Sequence, residues 1–509
     1  MAGAYPDPTT RRFITASVMA ATIMNALDST IANVALPHMQ GSVQASQEEI
    51  TWVLTSYIVS AAIFTPLTGW LAGRFGRKRL MLVSVVGFTI ASGLCGIATH
   101  LGELVGFRLL QGVFGAALIP MSQAILLDIN PPERHGPAMA VWGMGAVLGP
   151  IIGPALGGWL TDNLTWRWVF YINLPVGVLT FIGISGFLSE TRSTEPVKLD
   201  LFGFGLLAAA IGAFQVMLDR GQQQDWFSSS EICIEAVAAA LFAYLFVVHT
   251  MTAKKPFIEL GLFADRNFVF ASLIGFLLGV VLYAVLALLP PMLEVLMGYP
   301  VVLTGIVTAP RGLGTLISMW LAGQLIKKVD SRLMIIAGLC FTAGSMWYMQ
   351  GFSLAMNTHP VMISGFIQGM GTGLIFIPLS IMAFATLPSR MRNEGAAMFT
   401  LIRNIGSAIG ISVLQAMTIR NAATVHSRLV EGVRPDNPAL ALRMPDFDFT
   451  TPKAVAALNG EVTRQAAMVS YVDAFHALFL ISMLMAPMVL LMRRPAKAQG
   501  GGEKTMHLD

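Results

Sequence analysis

The chain has 509 residues, 55% of them hydrophobic and only 12% charged. So little charge cannot cover the surface of a soluble protein of that size. The mean hydropathy of +0.68 and the repeated apolar runs of about twenty residues instead indicate an all-α polytopic membrane protein. A net charge of +4 spread along such a chain gives no nucleic-acid footprint. Cys95, Cys233 and Cys340 stand alone in separate apolar runs, which suggests neither a disulfide frame nor a metal site.

Apolar windows bounded by charges or turn residues predict fourteen spans. Span 1 covers 13–36. It follows Arg11 and Arg12 and is too long for a signal-peptide core, so it reads as an uncleaved first crossing. Spans 2 to 6 cover 50–71, 80–98, 103–127, 137–160 and 168–188. Spans 7 and 8 cover 200–218 and 231–251. Spans 9 to 14 cover 269–291, 303–326, 333–352, 360–386, 396–418 and 471–492. Alternate connections carry the basic residues: Arg74, Arg77, Lys78 and Arg79, then Arg134, Arg192, Lys198, Lys254, Lys255, Arg266, Lys327, Lys328, Arg332, Arg390, Arg392, Arg493 and Arg494. The short loops between them offer only Arg167 and Arg220. Both termini are therefore expected in the cytoplasm, which an even number of spans requires. Residues 419–470 read as a long polar connection on the outer side, exempt from the charge rule by its length.

An internal repeat appears at an offset of about 257 residues. QGVFGAALIPMS (111–122) echoes QGMGTGLIFIPLS (368–380), GPIIG (149–153) echoes GSAIG (406–410), and Pro131 aligns with Pro388. Two like bundles follow, spans 1–6 within residues 1–190 and spans 9–14 within 266–495. Spans 7 and 8 (191–265) are an inserted pair, and 496–509 is a cytoplasmic tail. Two such bundles facing each other across a midplane cavity suit alternating access.

Asp28 sits in mid-span, where an ionised carboxylate costs roughly 2.5 to 3.5 kcal/mol on insertion scales and so faces a bundle interior or a watery cavity. Thr22, Asn25, Asp28, Ser29 and Asn33 share one face of span 1, within an arc of about 140°. Two readings stand side by side: a structural polar cluster between helices, or a carboxylate that loads and releases a proton or cation. Arg108 is the second charge at depth. Counted at about 1.5 Å per residue from the outer ends, Asp28 lies about 12 Å deep and Arg108 about 8 Å, close enough to meet. They form either a permanent salt bridge or a pair that opens on protonation, and Gln111, one turn on, can bond either. Arg311 and Arg403 are further buried charges whose partners the sequence does not show. Together with Asn25, Ser29, Asn33, Gln111 and Gln368 they are expected to line the substrate cavity. Glu294, Asp473 and His476 sit at outer span ends, where structural or solvated roles fit better than a proton relay.

Span 5 carries GAVLGPIIGPALGG (145–158), with Gly145, Gly149, Gly153 and Gly157 at spacings of four and Pro150 and Pro154 between them. Small residues at that spacing allow close helix approach, and the prolines favour a bend. GWLAGRFGRKR (69–79) closes span 2 into a basic cytoplasmic turn containing Gly69, Arg74, Gly76, Arg77 and Lys78. No P-loop, dinucleotide fingerprint, nucleophile elbow or HExxH occurs in plausible context, so ATP-driven transport and familiar enzyme chemistry lose support.

Taken in order, LDSTIANVALP (27–37), RLLQGVFGAA (108–117), GPIIGPALGG (149–158), WRWVFYINLP (166–175) and LDRGQQQDWFSS (218–229) resemble the major facilitator superfamily, specifically its fourteen-span drug:proton antiporters and most closely the EmrB-type permeases. The likeness covers nearly the whole chain. It implies the major facilitator fold, two six-helix bundles related by a pseudo-two-fold axis with two inserted helices. It also implies export of hydrophobic, often cationic or amphipathic drugs in exchange for protons, with no cofactor. In that family Asp28 would be the coupling acid and Arg108 its regulator, and the span 5 glycines and prolines would form the antiporter motif. The family's loop usually reads GxLADRxGRK. Here its acid is Gly73, so any charge interaction assigned to that acid must be absent or come from elsewhere. EmrB-type permeases sit in the bacterial inner membrane and work with a periplasmic adaptor and a TolC-like outer-membrane channel. A dedicated exporter of one metabolite, such as a siderophore or antibiotic, is the narrower alternative on the same scaffold. A non-transporting receptor is the remoter one.

Overall fold

The computed structural model describes residues 5–46, 49–131, 134–190, 199–326, 328–388, 391–434, 437 and 450–493, apart from the side chains of Pro150, Ile151, Pro154, Ala155, Val301 and Asn393. Every regular element among these residues is helical. Twelve helices are long and apolar enough to cross a membrane, and the bent pair Glu49–Phe64 and Leu67–Phe75, meeting at 56°, makes a thirteenth. With His135–Asn163, 29 residues long, these account for the fourteen expected spans. Span 2 breaks at Thr65–Pro66, where proline withholds a backbone donor. Span 4 breaks between Leu101–Gly115 and Leu118–Asp128.

The ends of the helices differ most from expectation. Span 1 runs Pro8–Ser42, begun by Asp7, whose carboxylate accepts from the Thr9 and Thr10 N–H groups at 3.0 Å. Of the connection expected over 419–470, the described residues are largely helical. Span 13 continues as Arg392–Val430 and span 14 starts at Pro452, each 39 residues long. Periodicity in hydropathy ends where lipid ends, but hydrogen bonding does not, so polar helix beyond the membrane is invisible to an apolar window. These extensions are tied together by His426 and Asn459, 3.0 Å apart, and by the Asn421 side chain donating to Asp473 at 2.6 Å.

Span 1 lies along span 5 on the glycine ladder. A Cβ on Gly149 would come within 2.6 Å of the Leu27 backbone nitrogen, and one on Gly157 within 3.0 Å of the Ile31 carbonyl. The Thr30 hydroxyl donates across this seam to the Gly149 carbonyl at 3.2 Å. The backbone contact cannot yield by rotamer change, so the glycines set the spacing of the two helices. Pro150 and Pro154 lie within the helix, but their side chains are outside the described ones. Gly149→Val is expected to cut the yield of folded, monodisperse protein several-fold, whereas Gly106→Ala, with open space at its Cβ, leaves it unchanged. Size-exclusion chromatography of the solubilised protein measures both.

The other half of span 5 belongs to the seam between bundles. Gly143 faces the Met319 side chain, and Gly323 of span 10 faces Ala140, where a Cβ would approach to 2.9 Å. Trp142 stacks on Phe376 of span 12 with centroids 5.5 Å apart. All these residues lie toward the cytoplasmic ends of their helices. On the outer side, Ser29, Asn33, Ile152 and Trp159 of spans 1 and 5 are exposed. The bundles are thus closed against each other on the cytoplasmic side.

Spans 7 and 8 are fastened by charge. Asp200 caps span 7 and accepts from the Gly203 N–H (2.9 Å), the His249 ring (2.8 Å) and the Phe257 N–H (3.2 Å). Partial burial works against the ionised carboxyl, but these bonds outweigh it and hold it below the usual aspartate range. A value lowered by folding stabilises above the unfolded pKa and is lost as pH falls through the folded one. Asp200→Ala is therefore expected to speed amide exchange at Gly203 and Phe257 at neutral pH, with the difference fading below about pH 4.

Candidate functional site

Asp28 is completely buried, and both its oxygens are occupied. Its Oδ2 accepts from Arg108 Nη1 at 2.7 Å, and its Oδ1 accepts from Gln111 Nε2 and Asn173 Nδ2, each at 2.9 Å. Three N–H donors thus converge on one carboxyl. Arg108 is equally buried. Its Nη1 also donates to Gln111 Oε1 (2.8 Å), its Nε donates to the Val53 carbonyl (3.1 Å), and its guanidinium stacks 4.4 Å from the Tyr57 ring centroid and 5.4 Å from that of Phe170. Arg108 Nη2 has no acceptor among the described residues.

The scaffold explains this convergence. Gly112 lets span 4 press on span 2, since a Cβ there would lie 2.5 Å from the Tyr57 carbonyl. That contact brings the Val53 carbonyl and the Tyr57 ring to the guanidinium. Asn173 begins the second helix of span 6, Asn173–Phe187, and also donates to Ser92 Oγ at 3.0 Å. Ser92 in turn donates to the Phe170 carbonyl at 2.9 Å. Spans 1, 2, 3, 4 and 6 thus all contribute to one polar network in a hydrophobic bundle. Asn173, Tyr57 and Ser92 escape sequence reasoning as site residues. The available signal was the polar Asn173 within WRWVFYINLP.

The other expected site residues distribute unevenly. Asn25 is buried and donates to Tyr57 Oη (3.1 Å) and the Gly115 carbonyl (3.2 Å), one turn from Asp28. Ser29 and Asn33 depart from the network: both are exposed, and Ser29 bonds its own helix at the Ala26 carbonyl, 2.9 Å away. Arg311, Gln368 and Arg403 belong to the second bundle, apart from Asp28. At the offset that aligns Gln111 with Gln368, Asp28 corresponds to Val285 and Arg108 to Gly365. At these positions the second bundle keeps the amide without the ion pair, and fully buried Gln368 has no partner among the described residues for either side-chain atom.

At the cytoplasmic turn Gly76 has φ +90°, and a Cβ there would run into Glu190. The Glu190 carboxylate accepts from the Lys78 and Arg79 N–H groups at 3.2 Å each, and Arg77 pairs with Asp128 at the end of span 4. Lys78 Nζ donates to the Ser185 carbonyl at 2.7 Å. Asp128 and Glu190 therefore supply acidic partners to a turn that has glycine at position 73, where a Cβ would meet open space. Gly69 is buried behind this turn, and Arg74 is exposed.

The model of the Major Facilitator Superfamily matches residues 18–411. The chain belongs to that superfamily. Within it, this facilitator groups with the EmrB-type permeases. It is 35% identical to the multidrug export protein EmrB of Haemophilus influenzae, over 91% of this chain and 92% of that one. It is 34% identical to EmrB of Escherichia coli K12, over 96% of both. It is 33% identical to the fatty acid resistance protein FarB of Neisseria gonorrhoeae, over 96% of this chain and 97% of that one. Among solved structures, the human organic anion transporter MFSD10 superposes with TM-score 0.58 at 15% identity, covering 94% of this chain and all of that one. The proton:xylose symporter XylE gives TM-score 0.58 at 12% identity, covering 96% and 100%. At those identities they show the shared fold.

Proposed function

We propose that this facilitator is a proton-coupled antiporter that exports lipophilic and amphipathic compounds across the inner membrane, with Asp28 as the proton carrier. The observation that carries the reading is the Asp28–Arg108 pair. Protonation of Asp28 removes its charge and one acceptor site, and Arg108 is not then left bare. The Val53 carbonyl, Gln111 Oε1 and the Tyr57 and Phe170 rings remain around it. A charge pair with a standing alternative for one partner can open and close at modest cost, as a switch requires. With the cytoplasmic side closed, Asp28 takes its proton from outside. It gives the proton up when the bundles rock and substrate enters from the cytoplasm, which favours the ionised form.

One proton moving inward releases about 2.3 kcal/mol per 100 mV, enough to sustain a substrate gradient of tens of fold. Relatives named for multidrug export and for fatty acid resistance support a lipophilic substrate class. The same kinship supports assembly with a periplasmic adaptor and a TolC-like channel. The energy source is tested in proteoliposomes. An imposed proton gradient is expected to drive accumulation of a lipophilic dye, and collapsing the gradient to discharge it. Accumulation indifferent to the gradient would refute the coupling. Co-purification with the adaptor tests the assembly.

A further inference from the structure

For Asp28 to carry a proton, its O–H must find an acceptor, and every group bonded to the carboxyl is a donor. Arg108 Nη1 donates to Oδ2, and Gln111 Nε2 and Asn173 Nδ2 donate to Oδ1. A buried O–H left without an acceptor is costly. Oδ2 faces a guanidinium, which has no acceptor atom, so a proton bound there would oppose a cation. Oδ1 faces two neutral amides, and an amide that turns end for end presents an acceptor. The proton therefore belongs on Oδ1, and one of the two amides must turn to receive it.

Gln111 is held against turning. Its Oε1 accepts from Arg108 Nη1 at 2.8 Å and from the Cys95 thiol at 3.7 Å. Reversal would set its NH2 against the guanidinium N–H, donor against donor. Asn173 is held differently. Its Nδ2 donates to Asp28 Oδ1 at 2.9 Å and to Ser92 Oγ at 3.0 Å, and no hydrogen bond among the described residues fixes its oxygen. The Ser92 hydroxyl is donor and acceptor at once, and its hydrogen goes to the Phe170 carbonyl at 2.9 Å. With the Asn173 oxygen in place of its nitrogen, Ser92 can swing that hydrogen from Phe170 to Asn173. Asp28, Asn173 and Ser92 are 0%, 1% and 0% exposed, so bulk water supplies none of these bonds.

We propose that Asn173 is the acceptor of the proton-loaded state: when Asp28 Oδ1 is protonated, the Asn173 amide turns, its oxygen accepts the new O–H, and Ser92 donates to the same oxygen. One O–H bond forms at Asp28, and its loss returns amide and hydroxyl to the arrangement in the structure. The chain carries the state of span 1 through span 3 to span 6. Ser92 lets go of the Phe170 carbonyl beside the break between Trp168–Tyr171 and Asn173–Phe187, and the Phe170 ring itself lies 5.4 Å from the Arg108 guanidinium. The other titratable or charged groups around Asp28 are Arg108, Tyr57 of span 2 and Cys95 of span 3. Tyr57 Oη is taken by Asn25 at 3.1 Å and the Cys95 thiol by Gln111. The inference rests on Asp28 as proton carrier and names the group that lets both of its states be hydrogen-bonded.

Infrared difference spectra of the purified full-length protein in detergent, taken between about pH 5 and pH 9, read both groups at once. The parent is expected to show an acid carbonyl band that Asp28→Asn removes. Beside it should stand a side-chain amide band that moves when the protein is grown on asparagine carrying heavy carbon at its side-chain carbonyl. Asn173→Leu should abolish that amide band and move the acid band upward, since an acid whose O–H has no acceptor has the stiffer carbonyl. Ser92→Ala should leave the acid band and move the amide band upward, whereas Ser92→Thr, which keeps the hydroxyl, should leave both. Proton-driven accumulation by Asn173→Leu is expected to fall about tenfold or more. An Asp28 band with no asparagine band beside it, or one unmoved by Asn173→Leu, would overturn the proposal and leave Asp28 as carrier. A parent without any Asp28 band would overturn the carrier and the proposal together. If Asn173→Leu is not recovered folded, the labelled parent and Ser92→Ala decide it.

Discussion

Asp28→Asn is expected to abolish proton-driven accumulation, lowering the steady-state drug gradient in proteoliposomes from tens of fold to none, while the protein remains folded. Asparagine keeps the size of the side chain and one carbonyl acceptor, so the bonds from Arg108 or from Gln111 and Asn173 can persist in part. What it loses is the proton. Downhill exchange of labelled drug should continue, because the bundles and their seam are untouched. A variant that still concentrates drug against its gradient would remove Asp28 from the mechanism.

Arg108→Met is expected to be the most destabilising single change in the site. It leaves the completely buried Asp28 with two amide donors and no cation, and breaking a buried pair from one side typically costs about 3 to 5 kcal/mol. Pairing it with Asp28→Leu removes the stranded charge and should recover most of the lost thermal stability, measured by unfolding of the detergent-solubilised protein. Transport should not recover with it. Restored stability without restored coupling would show that the pair is kept for its switch, whereas a double variant as unstable as Arg108→Met would show that the pair does not act as a unit.

How much of this is legible in the sequence varies residue by residue. Asp28 and Arg108 announce themselves because a charge in an apolar run has a cost that must be answered, and depth counting brings them together. Gln111 follows by helical spacing. Asn173 comes from a helix 145 positions further on, and its contact depends on the break after Tyr171 that aims it inward. No spacing rule carries that information. Ser29 and Asn33 share the polar arc of Asp28 but are exposed rather than part of the network, because an arc of about 140° reaches beyond the face of span 1 that its neighbours cover. The fourteen helices follow from hydropathy, but the polar extensions of spans 13 and 14 do not. The repeat locates two bundles, and its offset already places Val285 and Gly365 where the first bundle keeps its charges; that Gln368 is buried there without a partner among the described residues comes from the structure.

The central claim is that drug and proton compete through Asp28. It is tested most directly by measuring protons released when a lipophilic drug is added to purified protein in weakly buffered detergent solution, scanned from about pH 5 to pH 9. The account predicts release approaching one proton per drug bound within part of that range, and none from Asp28→Asn although it still binds drug. Drug binding by the parent protein with no proton released at any pH, or equal release from Asp28→Asn, would contradict it.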